Sequence, residues 1–375
     1  MEQKQNFRPT KAIIDLQAIK NNVNRLKNFL PPNVQIIAVV KANAYGHGDI
    51  EVSKTAIEAG ATMLAVATPE EALHIRESFP NIELLVLGYS PVSFAPYAAE
   101  KNISLTVFST EWVHQVQTKK DFLKPLKLHI KIDTGMGRIG VTSANDLLNL
   151  YEAISTSSNL IVDGVFTHFA TADEEDDSYF NKQVLKFEQL VKKLPQKPRI
   201  VHTANTATTL VKDPYLLFDA VRFGISMYGL APSSYVKTKL PFPLEAAFSL
   251  ETELVAVKQL EAGQSVGYGA TYTAEKTELI GTLPIGYADG LIRKYSGQHV
   301  LIDGIRVPIV GRICMDQCMI LLPRAYNIGE KVTLIGKQNN EEITIDEWAT
   351  KVETINYEVP CLITSRVPRI YLQNS

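Results

Sequence analysis

The stretch QIIAVVKANAYGHGDIEVSKTAIEAGATMLAVAT (35–68) holds the unit from which the fold is read. Its ends, QIIAVVKA (35–42) and MLAVAT (63–68), are short apolar runs rich in Val, Ile and Ala. Between them DIEVSKTAIEAG has helical spacing and opens on Asp49, a capping residue type. Strands that are apolar on both faces and alternate with helices indicate a parallel sheet. Working outward, the pattern returns in ELLVLG (83–88), ISLTVF (103–108), LKLHIKID (126–133), LIVDGVFTHF (160–169), RIVHTAN (199–205) and DAVRFGISMYG (219–229). Helical spacing fills the gaps in PEEALHIRESF, TEWVHQVQTKKDF, SANDLLNLYEAIS and DDSYFNKQVLKFEQLVKKL, with Thr110, Ser143 and Asp177 as further caps. Eight such strands close a (β/α)8 TIM-type barrel of α/β class, where a doubly wound open sheet usually stops short of eight.

After about Leu240 the texture changes to short alternating runs parted by Gly, Asn and Asp: SLETELVAVKQL, TELIGTLPIGYADG, HVLIDGIRVPIVGRICMDQCMILLP, KVTLIG and EEITID. VLIDGIRV reads as a hairpin turning on Asp303-Gly304. The expected organisation is a barrel over 1–242 followed by a β-rich domain over 243–375. The acidic run DEEDD (173–177) reads as a solvated helix entrance.

Composition narrows the function. The chain has 375 residues, 38 Lys+Arg against 40 Asp+Glu, 45% hydrophobic and 21% charged residues, which excludes intrinsic disorder. A net charge of −2 argues against nucleic acid or an anionic membrane as the main partner. Cys314, Cys318 and Cys361 are too few for a disulfide framework, which fits a reducing cytoplasm. The opening MEQKQNFRPTK lacks the apolar stretch of a signal peptide, and no apolar run approaches the roughly 18 residues of a membrane helix.

In such barrels the chemistry stands at the carboxyl ends of the strands. There the chain places Lys41, Tyr45 and His47, then Asp133 to Arg138, Thr167-His168, His202 to Thr206, and Arg222 to Ile225. A desolvated lysine at Lys41 gives up its proton more readily and can form a Schiff base with a carbonyl. Each residue also has a plain structural reading. His168 and His202 can be satisfied core histidines, Arg138 and Arg222 can pair with Asp133 and Asp219, and Met315 can be packing. Gly135-x-Gly137-x-x-Gly140 satisfies the dinucleotide fingerprint, but an eight-strand count is wrong for it, and barrel phosphate sites sit on the last two strand loops. There Asn205-Thr206 and Gly224-Ile225 offer a hydroxyl and backbone N–H groups for a phosphate. His47, His168 and His202 could suggest a metal-dependent hydrolase, yet strand one has no H-x-H and strand eight ends on no carboxylate.

VVKANAYGHG (39–48) closely resembles the lysine segment of the alanine racemases, which depend on pyridoxal 5′-phosphate (PLP). The resemblance continues through KIDTGMGRIG (131–140), FTHFATAD (166–173), VHTANTA (201–207), VRFGISMYG (221–229), VGYGATY (266–272), LPIGYADG (283–290), GRICMDQ (311–317) and INYEVPCLITSRVPRIY (355–371). It implies a barrel followed by a β domain, and a homodimer with shared active sites acting on a small amino acid. It implies that Lys41 anchors PLP and is one base, while Tyr268 of the partner chain is the other. An ordinary tyrosine, with a pKa of about 10, is a poor base at pH 7 without help. By resemblance His168 supplies that help, linked onward to Arg222, which faces the pyridine nitrogen. Arg138 is expected to contact the PLP phenolic oxygen and, with the Met315 N–H, the substrate carboxylate. Tyr45, Thr206, Gly224, Ile225 and Tyr357 correspond to phosphate ligands, and Asn205 and His202 to supporting residues. Lys131 stands where many members carry a carbamylated lysine that orients Arg138. The departures are Gly267 and Thr206, where serine is common.

The implied reaction is interconversion of L- and D-alanine by Lys41 and Tyr268, supplying D-alanine for peptidoglycan. Alternatives on the same scaffold are a serine or broad-specificity racemase and, more remotely, a PLP decarboxylase or a non-catalytic PLP-binding protein. Arg222 argues against the decarboxylase, which benefits from a protonated pyridine nitrogen, and the β domain with Tyr268 argues against the non-catalytic protein.

Overall fold

The computed structural model describes residues 7–119 and 122–373. The opening Met1–Asn6, the ends of both expected domains, and Lys120-Asp121 of the TEWVHQVQTKKDF segment lie outside these. The described chain divides into two compact units, one built mainly of Ala18–Ala44 and Asp49–Glu245, the other mainly of Ala246 onward.

The first strand, β1 (Lys11–Asp15), sets the boundary apart from the sequence reading, which gave residues from 1 onward to the barrel. It pairs antiparallel with Phe248–Glu253 and parallel with Arg369–Leu372, so it belongs to the second unit. The reason lies in its alternation. Ala12 and Ile14 are fully buried while Lys11, Ile13 and Asp15 are half-buried, the pattern of a strand covered on one face.

The barrel unit carries all eight expected strands: β2 (Gln35–Val39), β3 (Met63–Val66), β4 (Glu83–Val86), β5 (Ser104–Val107), β6 (Leu126–Lys131), β7 (Leu160–Phe166), β8 (Ile200–His202) and β9 (Ala220–Phe223). Neighbours run parallel in chain order, and β9 returns to pair with β2 through Ile37 and Arg222. Between β8 and β9, Asp219 N–H donates to the Val201 carbonyl and Arg222 N–H to that of Ala204, both at 3.0 Å. Several strands, such as β3 and β5, are buried at every position, as parallel strands covered on both faces must be. The register of β6 against β7 slips between Leu128 and His129, leaving Asp163 as the extra residue of a bulge.

Helix entrances follow local chemistry. Thr68 and Glu71 form a capping box, and Ser143 accepts the Asp146 N–H. Ser109, one residue before the expected Thr110, caps the helix Thr110–Gln117. Asp177 occupies a cap position without a cap bond and pairs with Lys212 instead.

In the second unit the strands are β10 (Phe248–Glu253), β11 (Ala256–Leu260), β12 (Ser265–Val266), β13 (Tyr272–Thr273), β14 (Glu278–Leu283), β15 (His299–Ile302), β16 (Ile305–Val310), β17 (Cys318–Leu322), β18 (Lys331–Gln338), β19 (Glu341–Ile343) and β20 (Arg369–Leu372). Most join one largely antiparallel sheet ordered β11-β14-β17-β16-β15-β18-β10-β1-β20, while β12 and β13 form a separate hairpin. Asp303 and Gly304 turn between β15 and β16 with φ of 52° and 73°, the two positive values a type I′ hairpin needs. Cys314 and Cys318 are free thiols. Among the described residues no helix is long and apolar enough to cross a membrane.

Candidate active site

Lys41 is half-buried and directly follows the apolar run that forms β2. The next four residues, Ala42 to Tyr45, all lie near φ +52°, a full turn of left-handed backbone. Such a turn costs about 1–2 kcal/mol per non-glycine residue, so its surroundings must enforce it. They do so with bonds: Ala42 N–H donates to Glu71 Oε1 at 2.7 Å, Ala44 N–H to the Val40 carbonyl at 2.9 Å, and Asp49 N–H to Asn43 Oδ1 at 3.0 Å. The sequence reading saw only a polar turn here. The paired Gly46 and Gly48, also at positive φ, were the visible hint.

Arg222, at the end of β9, is buried and reads as an anchor point. Its Nη1 donates to His202 Nδ1 at 2.9 Å and to the His202 carbonyl at 2.8 Å. Its Nη2 reaches the carbonyls of Thr167 at 2.8 Å and Thr203 at 3.0 Å, and His168 Nδ1 at 3.3 Å. The Nε–H has no acceptor among the described residues. The expected alternative of an Arg222–Asp219 pair does not form; Asp219 instead holds Lys197 at 2.9 Å and the Val201 N–H.

Burial, then the charge of Arg138, brings the Arg222 guanidinium down to about 9, still charged at neutral pH. Burial, followed by the charges of Arg222, Lys131, Arg138 and Lys41, holds His168 well below the usual histidine range. His202 is lowered by burial, Arg222, His129 and Lys131. Both imidazoles are therefore neutral. A guanidinium only donates, so His168 Nδ1 is an acceptor and its proton stands on Nε2.

The buried Lys131 lies 5.0 Å from the Phe166 ring centre, and burial plus Arg222 and Arg138 bring it to about 7, against a smaller opposing pull from Asp133. Asp133 is itself committed. Burial would raise its carboxyl, but the N–H groups of Gly135 and Gly137 at 2.9 and 3.1 Å, with Lys131 and Met136, bring it down. The G-x-G-x-x-G segment thus wraps its own aspartate and not a dinucleotide, and no Asp133–Arg138 salt bridge forms. Gly140 has φ +135°, and a Cβ there would fall 2.5 Å from the Asp133 backbone nitrogen. Gly140→Ala should lower stability by about 1–3 kcal/mol in chemical denaturation; unchanged stability would contradict this reading of the loop.

Thr206 accepts the Gly224 N–H on its hydroxyl at 2.9 Å, which joins two of the expected phosphate contacts in the barrel unit, beside the buried Ile225. The serine-to-threonine departure therefore keeps its oxygen in use. Asn205 caps the helix Thr206–Val211 through Thr208 N–H at 2.9 Å and donates to the Phe169 carbonyl at 3.2 Å. In the second unit Tyr45 and Tyr357 place their ring centres 6.1 Å apart, and burial, then Cys361, pushes the Tyr45 phenol up.

Tyr268 stands in the turn between β12 and β13 and is 71% exposed. Gly267 before it has φ +74°, so the other departure from serine removes a side chain from a left-handed position. Met315, 51% exposed, has an N–H with no acceptor among the described residues, while its carbonyl takes the Ala288 N–H at 3.0 Å. Among the described residues no group of three or more His, Cys, Asp or Glu is placed to hold a metal ion. His47 instead turns Nδ1 to the Tyr45 carbonyl at 3.0 Å.

Lys41, Lys131, Arg138 and Arg222 all press on His168, while the Asp133 carboxylate is committed to its own loop, and so the cluster suits an anionic ligand. The architecture is the expected barrel followed by a separate strand-rich unit. Residues 14–232 match the family "Alanine racemase, N-terminal domain" and residues 247–371 "Alanine racemase, C-terminal domain". The chain belongs to the alanine racemase family. It is 51% identical to the alanine racemase of Geobacillus stearothermophilus over 98% of this chain and 94% of that one. It superposes with a TM-score of 0.96 on the crystal structure of alanine racemase from Bacillus anthracis with bound L-Ala-P, at 47% identity, covering 99% of this chain and 97% of that one. A histidine racemase from Leuconostoc mesenteroides matches at TM-score 0.92 and 32% identity, covering 99% of this chain and 100% of that one.

Proposed function

We propose that this chain is a PLP-dependent racemase that interconverts L- and D-alanine, working as a homodimer in the cytoplasm and serving peptidoglycan synthesis. The observation that carries the reading is Arg222, fixed by five contacts with one N–H donor left over, beside two neutral histidines. That donor suits an unprotonated pyridine nitrogen, since arginine cannot take up its proton. The Thr206–Gly224–Ile225 corner of the barrel unit suits a phosphate. Bound PLP supplies the electron sink that makes the Cα–H of an amino acid acidic.

The protein's own groups do the rest. Lys41 anchors the cofactor and moves a proton on one face of Cα. Tyr268 of a second copy moves one on the other, which inverts the centre. His168 carries its proton on Nε2 and can donate it to a phenolate oxygen, which makes Tyr268 a competent base. Arg138 and the unoccupied Met315 N–H bind the substrate carboxylate. Arg222 weakens the electron sink and so disfavours side reactions that need a protonated ring. The test is D-alanine formation from L-alanine by the PLP-loaded protein, with serine and lysine assayed beside it. A histidine racemase on this fold means that pocket chemistry, and not the scaffold, sets the side chain accepted.

Lys131 completes the charge balance. Two arginines press on a lysine whose amine titrates near 7, and a carbamate there would replace a positive charge by a negative one that orients Arg138. The reaction with carbon dioxide needs the neutral amine, so it should be present above about pH 7 and fade below it. With 13C-bicarbonate, NMR should show a carbamate signal at pH 8 that is lost at pH 6 and in Lys131→Arg. A signal independent of pH or of Lys131 would contradict this.

A further inference from the structure

Behind Arg222 a line of polar side chains runs through the otherwise apolar barrel, and the reaction as derived above leaves its far end unused. Arg222 Nη1 meets His202 Nδ1 at 2.9 Å, His202 Nε2 meets His129 Nδ1 at 2.9 Å, and His129 Nε2 faces Asp163 Oδ2 at 3.4 Å. Asp163 in turn takes two bonds from Arg199, 2.8 Å from Nε and 2.7 Å from Nη2. His202 and His129 are fully buried, and Asp163 is 5% exposed. Polar groups this deep are costly unless their bonds are made; the contact of His129 Nε2 with Asp163 is of ion-pair length and falls short of hydrogen-bond geometry.

Three features show the line is built. Asp163 is the bulged residue of β7, and a bulge re-aims a side chain that regular pairing would point elsewhere. Gly164 beside it has no side chain where a Cβ would fall 2.4 Å from His129 Nδ1. Phe166 stacks on His202 at 4.7 Å and 11°, which fixes the plane of that ring.

The line also has a direction. Arg222 can only donate, so His202 Nδ1 accepts and a neutral His202 carries its proton on Nε2. That proton points at His129 Nδ1, which must accept, so the His129 proton stands on Nε2 and faces a carboxylate that can only accept. Burial would raise that carboxyl, but Arg199 and His129 hold it well below the usual range, so it stays ionised. A carboxylate behind an imidazole fixes its tautomer and makes its other nitrogen a better acceptor.

We propose that Asp163 and His129 are positioning residues for Arg222, holding His202 in the single tautomer that pins the guanidinium. The proposal rests on the reading of Arg222 as the partner of the PLP ring nitrogen. No proton needs to travel along the line; it orients.

The test compares the full-length protein with Asp163→Asn and His129→Gln, using 15N-histidine NMR, visible absorption of the loaded enzyme, and kcat and KM for alanine. In the wild type both His129 and His202 should be neutral with the proton on Nε2, with or without PLP. Asp163→Asn should mix the His202 tautomers, shift the visible band and lower kcat roughly 10-fold, the low end for residues that orient a primary contact. KM should change little. His129→Gln leaves the Asp163–Arg199 pair intact, so it keeps the test open if Asp163→Asn folds poorly, and the double variant should be no worse than either single one. A charged His202 or His129 in the wild type, or an unchanged His202 tautomer in both variants, would overturn the proposal. Lost activity with unchanged tautomer and absorption would do the same. The tautomer measurement needs no cofactor, so a wild type that fails to bind PLP would sink the reading of Arg222 while leaving the tautomers to be judged separately.

Discussion

Lys41→Ala is expected to abolish the visible absorption of the PLP-loaded protein and to cut racemisation by at least the 10²–10⁴-fold that one positioned acid–base group contributes. The position is specific. The lysine ends an apolar strand run and heads the left-handed turn Ala42–Tyr45, whose bonds to Glu71, Val40 and Asp49 hold the backbone that follows it. Few positions justify that much backbone strain, and strained turns gather where a reactive group must be aimed. Absorption spectra and a D-alanine assay on wild type and variant check this. A variant that stays yellow and active would remove Lys41 from both roles.

Tyr268→Phe is expected to slow proton abstraction from L-alanine by about 10²–10⁴-fold while PLP remains bound. Its side chain is exposed on a short hairpin turn with glycine on both sides, a poor place for an apolar core residue and a good one for a group presented to a second copy. Because Lys41 is intact, the absorption band should persist, and the loss should fall on the step that starts from L-alanine. Single-turnover kinetics in each direction measure it. Equal, undiminished rates both ways would refute the assignment.

How much of this was legible before the structure depends on the residue. The barrel strands were readable because most are short, Val- and Ile-rich runs, largely buried and alternating with helical segments. β1 was not, because five residues of alternating KAIID do not say which sheet they join; the pairing partners lie more than 230 residues away. The family motifs pointed to Lys41, Arg222, His168, Thr206 and Gly224, and the structure joins Arg222 with both histidines and Thr206 with Gly224. His129 and Asp163 were invisible as a pair. They sit in two different strands, and only a one-residue bulge turns them together. The glycine fingerprint at 135–140 shows the converse, since the same letters serve a buried aspartate when Asp133 precedes them.

The central claim is tested most directly by giving the PLP-loaded protein L-alanine as sole substrate and following both enantiomers by chiral chromatography. Enantiomers have equal free energy in an achiral solvent, so a racemase must end at equal amounts of L- and D-alanine from either starting side. The account predicts that end point, with loss of the reaction in Lys41→Ala. L-alanine that stays unconverted in the presence of bound PLP would contradict it.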